Sequence, residues 1–217
     1  MNFLVHLHLA AGDEGLMMGA LLGDFVRGRE ALQGFPPAMR EGIVLHRWID
    51  GTADAADEIR SLRGTFPREF RRYAGIIIDL AFDHELARRW SSFSSQGLAE
   101  HDAQVRALLA AHADLVPARL ARFMAYADRR GLFASYRHEA EMLHSLAGIG
   151  TRLSRPNPLH RVEAVWPALR PAVGACFEAY FPVLQSRVAA WRRRRSTSTG
   201  SWSEAPSQNG SSSAPGG

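Results

Sequence analysis

Apolar residues recur along almost the whole chain at a spacing near 3.6, and no stretch sustains the alternation of a half-buried strand. The pattern predicts an all-α fold. Leu21, Leu22, Phe25 and Val26 supply one face of a helix expected over Leu16 to Ala31. Pro36 and Pro37 suit a first helical turn, after which Met39, Ile43, Val44 and Ile49 form a stripe along a helix from Ala38 to Arg60. Pro67 opens a third segment, through Tyr73, Ile76, Ile77, Leu80 and Leu86 to Trp90, and Ser91 to Gly97 reads as a loop. Ile76-Ile77-Ile78 alone would suit a buried strand, but the flanking period is helical. Further helices are expected near Glu100 to Ala113, Val116 to Arg129, Leu132 to Leu146 and Leu159 to Trp191, the last kinked or split at Pro167 and Pro171.

Composition changes this picture at the ends. From Ser196 to Gly217 the chain is dominated by Ser, Gly, Pro, Asn and Gln, which bury too little apolar surface to offset the entropy of ordering. One helical domain over residues 1–195 and a disordered tail over 196–217 are therefore expected. No apolar run reaches the length of a membrane span. The apolar start, Met1 to Ala11, lacks the basic residues of a secretion signal and carries His6 and His8 within it. Cys176 is the sole cysteine, which leaves no intramolecular disulfide and fits a reducing cytoplasm.

All 26 basic residues are arginine, and only one of the 22 acids, Glu204, lies in the tail. The expected domain is thus net positive and favours anionic partners without choosing among them. Lysine chemistry is excluded. Phosphate-binding loops, dinucleotide-binding glycine motifs, zinc-protease motifs and the nucleophilic serine elbow are also missing from the sequence.

Four groups of residues carry candidate chemistry. His46 and Asp50 are four apart, so on a helix both face one side and can hold one ion. Asp79, Asp83 and His84 repeat the arrangement beside an isoleucine run, where buried carboxylates need a partner or a metal. In Gly23-Asp24-Phe25-Val26-Arg27-Gly28 an acid for a cation and an arginine for phosphate share a helix face, between glycines that permit close approach. His6 and His8 point to the same side only if their segment is extended. Each group taken singly is equally an ordinary ion pair, cap or core histidine; the proximity of several favours a metal.

These residues resemble the acyl carrier protein phosphodiesterase family. The opening MNFLVHLHLA is similar to that family's start, Gly23 to Gly28 to its (G/A)DFVRG segment, and Gly42-Ile43 with His46-Arg47 and Ile49-Asp50 to its GI..HR.ID pattern. Asp79 and Asp83-His84 fit D...DH, with Trp90 following. The likeness is clear over residues 1–90 and general beyond. One departure is Ala53, where the family often has threonine; Asp54 beside it is a secondary candidate. The resemblance implies a helical domain like the HD-type phosphohydrolases, removal of 4'-phosphopantetheine from holo acyl carrier protein, and Mn(II), with Mg(II) or another divalent cation as the alternative. It implies a metal site formed or bordered by Asp24, His46, Asp50, Asp79, Asp83 and His84, with His6 as a further member.

On that basis Arg47, then Arg27, is expected to neutralise phosphoryl charge, and His84 or His6 to supply the leaving group's proton. An arginine surface including Arg68, Arg71, Arg72, Arg88 and Arg89 would meet an acidic carrier protein; neither nucleic acid nor membrane is expected as a partner. The rivals are a phosphohydrolase acting on nucleotides or another small phosphodiester, a helical module that binds an acidic protein without catalysis, and a di-iron protein, for which Glu141 and His144 supply only one of two required motifs.

Overall fold

The computed structural model describes residues 3–200, with side chains through Arg195, and among these residues every regular element is helical. The order is α1 (Phe3–Ala10), α2 (Glu14–Leu22), α3 (Pro37–Asp54), α4 (Asp57–Thr65), α5 (Ala74–Arg88), α6 (Leu98–Ala111), α7 (Ala118–Arg129), α8 (Glu139–Gly150) and α9 (Val162–Gly200), linked by short 3-10 turns.

Local chemistry explains most boundaries. Asp13 caps α2 by accepting from the Leu16 amide at 2.9 Å. The helix expected to run to Ala31 stops at Leu22, where Phe25 and Val26 amides both fold back onto the Leu22 carbonyl, and Gly28 takes a φ of +80°. Asp24 and Arg27 therefore lie on a turn, not on a shared helix face. The segment expected to continue to Arg60 breaks at Ala55 and Ala56 into α3 and α4. Pro67 holds Phe66 extended and so ends α4, and the chain from Pro67 to Tyr73 passes through a 3-10 turn before α5 begins.

α9 runs unbroken through Pro167, Pro171 and Pro182. Its buried stripe of Trp166, Leu169, Val173, Phe177, Tyr180, Phe181, Leu184, Val188 and Trp191 outweighs the amides those prolines remove. It also passes Arg195, the expected edge of the domain, as far as Gly200. The remainder of the expected tail, with Trp202, lies outside the described residues.

The centre of the fold is the α2–α3 crossing. A Cβ on Gly19 would fall 2.4 Å from the Gly42 backbone, and one on Gly15 would fall 2.3 Å from the Ala38 Cβ. Four small residues thus let two helix backbones touch. α1 packs across α2 and α5, and its N-terminus is capped at long range: Asp83 of α5 accepts from the Leu4 and Val5 amides at 3.2 and 2.9 Å. Burial pushes the Asp83 carboxyl up to about 8 against the pull of those two amides.

His101 of α6 is a buried histidine with a predictable cost. It is 2% exposed, its Nε2 has no hydrogen-bond partner, and its ring lies 4.9 Å from that of Trp90. Burial, aided by His8, pulls its pKa down to about 4. The unfolded chain then binds the extra proton below about pH 6.5, so the contribution falls as pH drops from there through about 4. Neighbouring Asp102, raised to about 6 by burial, acts in the opposite sense. Comparison with a variant isolates the histidine. By urea unfolding, His101→Phe should gain on wild type by about 2 kcal/mol between about pH 7.5 and pH 5; a difference that does not change with pH would contradict this.

Candidate metal centre

The i,i+4 spacing on α3 brings His46 and Asp50 to one side, and the turn after α2 brings Asp24 against them. His46 Nε2 lies 3.3 Å from Asp50 Oδ2 and 3.7 Å from Asp24 Oδ1. α1 contributes His6, whose Nε2 is 3.1 Å from Asp50 Oδ1 and whose ring stacks on that of His46 at 3.9 Å. Because α1 is helical, His6 and His8 diverge: His8 faces Trp90, Phe93, Phe181 and Gln185. Both site histidines are buried, whereas Asp50 is half exposed at the mouth.

Ordering of His46 begins at its other nitrogen. Nδ1 lies 2.9 Å from the Ala20 carbonyl, which can only accept, so Nδ1 carries the proton and donates. A neutral ring would then aim its Nε2 lone pair at two carboxylates. Something positive must stand between them, either a proton or a metal ion. Without a metal the proton wins: burial would depress His46, but Asp24 and Asp50 raise it to about 9. Asp24 and Asp50 are both held below the usual carboxylate range, their burial outweighed by the histidine contacts. His6 is pulled down to about 4 by burial and by His46, so it is neutral. Its Nε2 donates to Asp50 Oδ1, and ligation through Nε2 would move that proton to Nδ1, which is buried without a hydrogen-bond partner.

The donor set fits a divalent cation. One ligand atom from each of His6, His46 and Asp50 lies within 4.8 Å of the others, and Asp24 Oδ2 is buried with no hydrogen-bond partner. Two imidazole nitrogens with carboxylate oxygens suit manganese, iron or zinc. The Nδ1 tether to a backbone carbonyl is the outer support that metal-binding histidines usually have. Gly23 is needed here, since a Cβ would sit 2.2 Å from the His46 ring.

Asp24 and Asp50 also line a cleft of about 300 Å³ with Asp54, Asp79, Arg63 and Tyr180. Burial raises the Asp79 carboxyl. Other expected site residues face elsewhere. Asp83 caps α1, and His84, about 100° further round α5, has Nδ1 2.6 Å from the Tyr136 carbonyl; neither lines the cleft. Arg47 donates to the Val26 carbonyl at 2.7 Å, which ties α3 to the turn bearing Asp24. Arg27 is exposed on that turn, outside the cleft lining. Asp54 pairs with Arg63.

Arg63 and Tyr180 escaped the sequence reading. Arg63 reaches the cleft only because the chain breaks between α3 and α4. Tyr180 comes from the aromatic stripe of α9, where its spacing signals packing alone.

Fold and cluster together define an all-α protein with a His/Asp cluster that could hold a cation. A family model for acyl carrier protein phosphodiesterase matches residues 1–184, and the chain belongs to that family. A relative named acyl carrier protein phosphodiesterase in Serratia proteamaculans (strain 568) is 35% identical over 156 residues, covering 71% of this chain and 80% of that protein. One of the same name in Yersinia enterocolitica serotype O:8 is 32% identical over 193 residues, covering 86% and 97%. Another, in Shigella boydii serotype 18, is 49% identical over 94 residues, covering 43% of this chain and 48% of its own length. No solved structure matches the chain significantly, so the likeness to HD-type phosphohydrolases has no structural neighbour behind it.

Proposed function

We propose that this protein is a metal-dependent phosphodiesterase that hydrolyses holo acyl carrier protein to the apo carrier and 4'-phosphopantetheine. The observation that carries the metal dependence is the convergence of His6, His46, Asp50 and Asp24 beside an acid-lined cleft. The substrate comes from the family and its named relatives.

A bound Mn(II), or Mg(II) in its place, would supply Lewis-acid activation of water and of a phosphoryl oxygen. His6, His46 and Asp50 would hold it, with Asp24 completing the set. In the reaction a water oxygen bonds to phosphorus and releases one proton to solvent, the bond from phosphorus to the carrier's serine oxygen breaks, and that oxygen takes up a proton. Asp50 and Asp24, held ionised, accept hydrogen bonds from the attacking water. Asp79 lines the same cleft with its carboxyl raised by burial, which supports it as the donor of the serine oxygen's proton, regained afterwards from solvent. Arg47 positions Asp24 through the Val26 carbonyl rather than meeting substrate. Asp83 and His84 serve α1 and the Tyr136 turn.

This reading sets the protein in fatty acid biosynthesis and lipid metabolism. An unpaired Cys176 fits a cytoplasmic setting, and among the described residues no helix is long and apolar enough to cross a membrane.

The test follows the mass of holo acyl carrier protein incubated with the protein and Mn(II). The expected result is loss of the phosphopantetheine mass by wild type and retention of it with Asp24→Ala. An unchanged carrier mass across Mn(II), Mg(II), Fe(II) and Zn(II) would overturn the reading; turnover of nucleotide diesters with an intact carrier would replace it with a nucleotide phosphohydrolase.

A further inference from the structure

We propose that Arg63 is the side chain that binds the phosphoryl group of the substrate, an inference that rests on the phosphodiesterase reading above. The cleft beside the metal site is lined by four carboxylates, of Asp24, Asp50, Asp54 and Asp79. A phosphodiester is itself an anion, and a wall of acids repels it unless fixed positive charge faces the non-bridging oxygens. Among the residues lining the cleft, Arg63 carries the one guanidinium.

Its present contacts leave it available. One terminal nitrogen rests on Asp54, whose side chain is 66% exposed, so that pair is screened by water and exchanges readily for a better acceptor. Arg63 Nε is buried with no hydrogen-bond partner. A guanidinium in this state offers its planar edge to a ligand carrying two acceptor oxygens, which is the geometry of a phosphoryl group. The start of α5 makes room for it: Gly75 lines the same cleft, and a Cβ there would lie 3.3 Å from Arg63 Nη2.

A second donor lies in the same wall. Tyr180 is 1% exposed and lines the cleft from α9, and its hydroxyl is buried without a hydrogen-bond partner. Buried donors that lack acceptors are uncommon in folded proteins, and two at one cleft complement a ligand rich in acceptor oxygens. Arg47 and Arg27 offer no such contact: the first is bonded to Val26 and the second lies outside the cleft lining.

The experiment titrates 4'-phosphopantetheine into the Mn(II)-loaded protein by calorimetry and measures Mn(II) affinity in parallel by electron paramagnetic resonance. Arg63→Gln should weaken 4'-phosphopantetheine binding by about tenfold or more, the scale of a charge-assisted hydrogen bond, and leave Mn(II) affinity within about twofold. Arg63→Lys should recover part of the binding, since it restores charge without the fork. On holo acyl carrier protein, KM should rise with both variants. If Arg63→Gln does not fold, Arg63→Lys is read in its place, since it keeps the charge and loses the fork. Wild type that binds and turns over normally while Arg63→Gln, or Arg63→Lys in its place, binds equally well overturns the role of Arg63 alone. Wild type that neither binds 4'-phosphopantetheine nor alters the carrier overturns the phosphodiesterase reading instead.

Discussion

Replacing His46 with glutamine should weaken Mn(II) binding by about 100-fold or more, since even an outer partner of a metal-bound histidine is worth roughly 10- to 100-fold. Turnover of holo acyl carrier protein should fall by about three orders of magnitude, the scale of losing one preorganised electrostatic group. The expectation follows from how the ring is held. The Ala20 carbonyl fixes Nδ1 as the protonated nitrogen and aims Nε2 at Asp24 and Asp50. A glutamine amide reaches neither the carbonyl nor the carboxylates with that geometry, and the two acids are left facing each other. The same arrangement gives the pH dependence its sign. In the metal-free protein Nε2 holds a proton up to about pH 9, so a cation must displace it, and apparent affinity should climb as pH rises toward that value. Mn(II) titrations in buffers of different ionisation enthalpy would report the released proton in wild type and its absence in His46→Gln. Unaltered Mn(II) affinity in the variant would remove His46 from the ligand set.

The reasons some of this site was visible in the sequence, and some was not, are geometric. His46 and Asp50 could be paired because a helix repeats on a scale of four residues, and α3 does run through both. Asp24 joined the cluster for a different reason from the one its spacing suggested: the chain leaves α2 at Leu22 and turns back on itself, so Asp24 and Arg27 part company. His6 could not be separated from His8 until α1 proved helical. Asp83 has the spacing of a ligand from Asp79, but its partners are the Leu4 and Val5 amides, 79 and 78 residues away, and no local pattern encodes a cap supplied at that distance. Arg63 and Tyr180 depend on a helix break and on a helix about 100 residues downstream. Local periodicity was therefore enough for the all-α class and for one pair of candidate ligands, whereas the walls of the cleft are a property of packing.

That packing hangs on the α2–α3 crossing, and substitutions there should be among the most damaging in the protein. Gly19 and Gly42 are helical, so alanine at either would improve intrinsic helix propensity by about 1 kcal/mol if nothing else mattered. The space says otherwise. A Cβ on Gly19 would lie 2.4 Å from the Gly42 carbonyl carbon and Cα, and a Cβ on Gly42 would lie 2.6 Å from the Leu16 carbonyl oxygen. These are backbone atoms in buried helices, which cannot rotate aside as a long side chain can, so the helices themselves must separate. Overpacking of a core typically costs about 1–3 kcal/mol and sometimes more, and a clash between two backbones belongs at the upper end. Gly19→Ala should therefore lose about 3 kcal/mol in urea unfolding despite the better propensity. Gly51→Ala, on the exposed side of α3 with nothing within 4 Å of its Cβ, should gain up to about 1 kcal/mol. Separation of the helices also moves the Ala20 carbonyl from His46 Nδ1, so Mn(II) affinity should fall in Gly19→Ala although the residue touches no ligand. A Gly19→Ala protein as stable as wild type, with full Mn(II) affinity, would show that the ligands are held by something other than this crossing.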